Sequence, residues 1–182
     1  MSLAAATVAT PGPPTPAPAT RAPVVVLGLG NILLEDEGLG VRAVERLERE
    51  YAMPPGVEVI DGGTTGMGLL DQVGCREHLV IIDAIRAEGP PGRIVRLADD
   101  EVPVYLGRKV TPHQVGLADV LATLALTGES PGHVTLLGQV PSSLELTLDL
   151  SEPLRAAQEA LIEAVVRELE RIGHAPRRLD AG

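Results

Sequence analysis

Hydrophobic positions along the chain group into two kinds of pattern that alternate. Val24-Val25-Val26-Leu27 is a short unbroken apolar run that stops at Gly28, the signature of a strand buried on both faces. Val41, Val44, Leu47 and Tyr51 then recur at helical spacing, with Glu45, Glu48 and Arg49 on the other side, and Pro54-Pro55 ends that helix. Val57 to Ile60 reads as a second strand, broken by Asp61-Gly62-Gly63, and a short helix is expected over Gly66 to Val73. Leu79-Val80-Ile81-Ile82 is a third strand closed by Asp83. Arg93 to Leu97 is a fourth, and its closeness to the third across a Gly- and Pro-rich turn suggests an antiparallel hairpin.

Thr111-Pro112-His113-Gln114 places threonine at an N-cap, proline at the first helical position and glutamine three residues after the cap. Leu117, Val120, Leu121 and Leu124 give this helix its apolar face, and Gly128 ends it. Val134 to Leu137 is a fifth strand. Ser151 is expected to cap a last helix that buries Leu154, Ala157, Leu161, Val165 and Leu169 and closes at Gly173. Strands alternating with helices over short links predict an α/β fold: a doubly wound, mostly parallel five-stranded sheet with helices on both faces and one strand antiparallel. Residues 23–173 form a single α/β domain in this reading. Residues 1–22, rich in Pro and Ala, are read as a disordered extension or in part a start-site artefact, and 174–182 as a flexible tail.

Composition narrows the function. The chain has 182 residues, 45% of them apolar, with no Phe or Trp and two Tyr, so its core must be aliphatic. A net charge of −10 argues against a nucleic-acid partner or an anionic membrane surface, both of which call for Lys and Arg. The single cysteine, Cys75, allows no internal disulfide and fits a cytoplasmic location. There is no apolar run long enough for a transmembrane helix. Cys75 precedes the third strand and belongs near the amino end of the sheet, where it reads as a bystander thiol.

Ligands of open α/β sheets bind beyond the carboxyl ends of the strands. Asp36 and Glu37 follow the first strand, Asp61 ends the second, Asp83 ends the third, and His113 opens the helix before the fifth. Two carboxylates and an imidazole can hold a transition metal and leave a position open for water or a carbonyl. Imidazole suits nickel and zinc alike. Each residue also has a plainer reading. Asp36 is expected to cap a helix, Glu37 could satisfy a helix dipole, and Asp61 could make a turn through its own backbone. His113 could be a stray first-turn histidine. Asp83, set among Leu-Val-Ile-Ile and Ala84-Ile85, is the acid that needs a partner or a metal. His78, His133 and His174 read as surface residues away from this edge. Gly28-Leu29-Gly30 opens like a dinucleotide fingerprint, but Leu33 stands where the third glycine belongs and three acids follow, which disfavours a nucleotide. No Gly-x-Ser-x-Gly elbow is present.

These motifs together resemble the hydrogenase maturation proteases. Gly28-Leu29-Gly30-Asn31-Ile32-Leu33-Leu34-Glu35-Asp36-Glu37-Gly38-Leu39-Gly40 is similar to the family's opening signature, and Asp61-Gly62-Gly63-Thr64-Thr65-Gly66 to its second element. Asp83-Ala84-Ile85 and Pro112-His113-Gln114 resemble the third and fourth, in order, across roughly Val24 to Ile172. The resemblance implies a metal-dependent endopeptidase that removes a C-terminal extension from the large-subunit precursor of a nickel–iron hydrogenase after nickel insertion. It implies Glu37, Asp83 and His113 as metal contacts, with Asp61 and Asp83 as the acids of catalysis and Asp61, Gly62 and Gly63 as substrate-binding positions. It further implies nickel presented by the substrate, with zinc or another divalent ion able to take the site in vitro. The rival readings are a chaperone-like module that binds the loaded large subunit without cutting it, and a small nucleotide-binding protein.

Overall fold

The computed structural model describes residues 21–107 and 112–180, except for the side chains of residues 112–115. The elements run β1 (Val24–Leu29), α1 (Leu39–Glu50), β2 (Tyr51–Ala52), β3 (Val57–Gly63), α2 (Leu70–Val73) and β4 (His78–Ala84). They continue with β5 (Ile94–Ala98), α3 (Glu101–Leu106), α4 (Pro112–Thr127), β6 (His133–Gln139), α5 (Glu152–Arg171) and β7 (Arg177–Arg178). Short 3-10 turns at Glu35–Gly38 and Gly66–Leu69 lead into α1 and α2.

The main sheet has five strands in the order β3-β1-β4-β6-β5. The first four are parallel, and β5 runs antiparallel to β6. The fourth strand is therefore reversed, as its sequence suggested, but it forms no hairpin with β4. β6 takes the place beside β4, because its stretch from Thr135 to Gln139 is buried without a break and belongs inside the sheet. The more polar Ile-Val-Arg-Leu-Ala of β5 is left at the edge, half-buried.

Alternation along the strands divides the core in two. Val24, Val26, Val80 and Ile82 face α1 and α5, meeting Leu39, Val44, Leu47, Leu154, Leu161 and Val165. Val25, Leu27, Leu79 and Ile81 face α2, α3 and α4, meeting Leu69, Val73, Val102, Leu106, Leu117 and Val120. Both layers are aliphatic. No helix among the described residues is long and apolar enough to cross a membrane.

Three details differ from the sequence reading. Tyr51 leaves the helix that its spacing suggested and pairs in β2 with Arg178 of β7, so residues 177 and 178, within the stretch read as a tail, form a two-residue antiparallel ribbon. α3 carries no strong periodic signal over its six residues and has Pro103 inside it, which hid it. Ser151 occupies the N-cap of α5, yet its hydroxyl makes no capping bond and is engaged elsewhere.

Candidate active site

Parallel pairing of β3, β1, β4 and β6 brings their carboxyl ends to one edge. The register sets Asp61 beside Gly28, and Gly28 beside Ile82, so Asp83 lies one residue beyond the same level two strands from Asp61. At the usual strand spacing this separates the two acid backbones by about 10 Å. They also differ in face: alternation puts Asp83 with Leu79 and Ile81, on the side covered by α4, and Asp61 with Val57 and Val59, on the side of α1.

Asp83 is 1% exposed and Glu37 5% exposed, two buried carboxylates on neighbouring elements. Glu37 stands on the 3-10 turn after β1, and that turn packs against β4. The glycines of the first loop explain the close fit. A Cβ on Gly40 would fall 2.1 Å from the Ile82 carbonyl oxygen, and one on Gly30, whose φ is +128°, would fall 1.7 Å from the Glu37 carbonyl oxygen. Gly28, Gly30 and Gly40 thus let the first turn of α1 close onto the strand ends, which is why the fingerprint-like glycines come without a phosphate cradle.

Asp61 is exposed, and its Oδ1 accepts the N–H of Gly63 at 2.9 Å, the local turn its spacing with Gly62-Gly63 suggested. Gly62 sits where a Cβ would meet Leu27 and Leu29 at under 3 Å. The expected cap at Thr111 lies outside the described residues. His113 lies on the first turn of α4, with its side chain outside them. The backbone nevertheless fixes where that turn sits: a Cβ on Gly116 would come 2.8 Å from Gly66 Cα, so α4 abuts the Asp61–Gly66 loop with backbone nearly touching backbone. Among the described residues, no group of three or more His, Cys, Asp or Glu is placed to hold a metal ion.

Asp36 has a role that local sequence could not reveal. It is fully buried, and its carboxylate accepts four hydrogen bonds from the loop between β6 and α5. The donors are Ser142 N at 2.8 Å, Ser143 N at 3.1 Å, Ser151 N at 2.9 Å and Ser151 Oγ at 2.8 Å. It pins that loop to the first one and does not cap α1. Its partners lie more than 100 residues away in the chain, beyond the reach of spacing rules.

The opposite edge is chemically distinct. His78 and His133, register neighbours at the starts of β4 and β6, stack with ring centroids 5.0 Å apart. Burial, and then the neighbouring His133, hold the His78 imidazole below its ordinary pKa. Cys75 is exposed just before β4 on this amino side.

The carboxyl edge thus gathers three buried acids, Asp36, Glu37 and Asp83, with an exposed acid on a glycine turn and a histidine-bearing helix start. The sequence model of the hydrogenase maturation protease family (HycI) matches residues 41–168. The hydrogenase 2 maturation protease of Escherichia coli (strain K12) is 48% identical over 151 residues, covering 82% of this chain and 92% of that protein. The chain belongs to the hydrogenase maturation protease family. A hydrogenase expression/formation protein, HupD, from Rhodobacter capsulatus is 42% identical over 149 residues, 81% of this chain and 70% of that one. Among solved structures, the hydrogenase maturating endopeptidase HybD from E. coli superposes with a TM-score of 0.82 at 46% identity, covering 85% of this chain and 96% of that one. As a family member the protein is an endopeptidase of hydrogenase maturation, and the sheet edge just described is its candidate active site.

Proposed function

We propose that this hydrogenase maturation endopeptidase removes the C-terminal extension of a nickel–iron hydrogenase large-subunit precursor once nickel has been inserted, with Glu37, Asp83 and His113 as the metal-contacting residues. The observation that carries the reading is the pair of buried carboxylates, Glu37 and Asp83, on elements packed against each other at the carboxyl edge. Buried acids of this kind are stabilised by a hydrogen-bonded or metal partner. The donor set, two carboxylate oxygens and an imidazole, suits nickel or zinc.

The nickel belongs to the substrate. A metal held by these groups polarises a carbonyl and lowers the pKa of water, the chemistry peptide hydrolysis calls for. Asp83 and Glu37 orient the precursor's metal-bearing end against the edge. Asp61, about two strands away and on the other face, acts on the peptide side: its exposed carboxylate and the Gly62-Gly63 turn receive the extension beside the scissile bond. Cleavage of loaded precursor alone then reports completed metal insertion.

Intact-mass measurement of a hydrogenase large-subunit precursor, incubated with the protein with and without nickel loading, tests this directly. Loss of a C-terminal peptide from the loaded form only is expected. Equal cutting of both forms would remove the nickel dependence, and complex formation with unchanged mass would favour a non-cleaving binder. His113→Ala is expected to abolish processing while leaving the thermal melt within about 2 °C of wild type.

A further inference from the structure

Beside the candidate active site lies an aliphatic ledge that the fold does not bury. Ile32 is 41% exposed, Leu33 52%, Leu146 83% and Leu148 59%. They come from two loops, the one after β1 and the one between β6 and α5. A parallel bridge between Leu34 and Thr147 joins these loops, and its register places Leu33 beside Leu146. Glu35 N donates to the Thr147 carbonyl at 3.0 Å, and Glu145 N donates to the Glu35 carboxylate at 3.4 Å. The buried Asp36 fixes both ends of the second loop through Ser142, Ser143 and Ser151.

A chain that needed only solubility would turn these leucines inward or let the loop move. Here the backbone is bonded at several points so that they stay out. Among the described residues, the remaining exposed large hydrophobics, Met67, Val104, Leu126 and Leu179, lie on other elements. Apolar side chains held in place and rimmed by polar residues are the usual core of a protein-docking patch. Glu35, Glu145 and Asp149 supply such a rim here. The same β6–α5 loop lines a cleft of about 440 Å³ with Arg86, Ala87, Val140, Pro141, Ser142, Ser143 and Leu144. Arg86 follows Asp83 by three residues, so the cleft is lined on one side by the segment that leaves the end of β4.

The geometry points to Ile32, Leu33, Leu146 and Leu148 as the docking surface for the folded body of the hydrogenase large-subunit precursor. This inference rests on the reading that the precursor is the substrate and is cut at this edge. A protease acting on one folded protein must hold that protein close to the scissile bond, and the ledge is continuous with the loops that form the site. A second copy of this chain seated here would stand in front of those loops.

The test is steady-state processing of nickel-loaded precursor by the full-length protein and by the double variant Leu146→Ser/Leu148→Ser. Direct binding of the same precursor is measured in parallel, with Leu126→Ser as the control for an exposed leucine elsewhere. Loss of an apolar docking core should raise KM and the dissociation constant about tenfold or more and leave kcat within about twofold, with Leu126→Ser unchanged. The single variant Leu146→Ser, at the most exposed position of the four, gives the same reading should the double variant express poorly. Wild-type KM and binding in these variants would overturn the proposal. So would a change in oligomeric state by sedimentation with precursor binding intact, which would make the ledge a contact between copies. If wild type binds the precursor without cutting it, the protease reading fails while the binding arm still judges the ledge.

Discussion

At the scale of single residues, burial and partner count separate acids that look alike in sequence. Glu35, Asp36 and Glu37 are consecutive, yet Asp36 is spent entirely on four donors from the β6–α5 loop. Asp36→Ala would strand three backbone N–H groups and a hydroxyl, at a cost of about 2–4 kcal/mol in urea unfolding. Asp36→Asn, which trades one acceptor oxygen for a donor, should cost less than alanine does. Local rules favoured a cap for this residue because they see only the next few positions. They described Asp61 better, since its bond to Gly63 is itself local. Asp83 was conspicuous for a different reason: an acid that interrupts an apolar strand run stands out from sequence alone, and the structure buries it.

At the scale of elements, most of the fold was readable because the signals were strong and local: apolar runs for β1, β4 and β6, and helical spacing for α1, α4 and α5. Strand neighbours were not readable in the same way. The reversal of β5 followed from a short glycine-rich link, but its pairing with β6 depends on which strand most needs two covered faces, a property of the assembled sheet. α3 and the β2–β7 ribbon are too short to carry periodicity. The contact between α4 and the Asp61–Gly66 loop depends on Gly116. Gly116→Ala should lower stability by about 1–3 kcal/mol through overpacking. Gly132→Ala makes a comparable clash, 2.9 Å from the Glu77 carbonyl oxygen, at the amino edge. Both variants are expected to melt earlier, and only Gly116→Ala should also lower kcat/KM for precursor processing.

At the scale of the molecule, one polar knot ties three elements on the face away from α4. Glu168 of α5 is 5% exposed and accepts hydrogen bonds from Arg96 of β5 at 2.9 and 3.0 Å, Thr135 of β6 at 2.9 Å and Arg171 of α5. Burial opposes its ionisation, but the bonds from Arg96, Arg171 and Thr135 outweigh burial and hold its carboxyl at about 2. Its folded pKa thus lies below an unfolded value of about 4.3. Its contribution is complete above that value and is lost as the pH falls from there toward 2. Glu168→Gln should cost about 1–3 kcal/mol at neutral pH and flatten the acid limb of stability between about pH 4 and pH 2, measured by denaturant titration at stepped pH.

Because β5 travels backwards at the rim of the sheet, the chain emerges from it on the side away from the chemistry. The residues between Ala98 and Pro112 have to bring it home before α4 can begin. Where the histidine-bearing turn lands is therefore a matter of tether length as well as of strand order. Because α3 lies in that connection and buries Val102 and Leu106 in the layer under α4, adding or deleting residues there would disturb that packing and the start of α4 together, so the connection should tolerate little change in length.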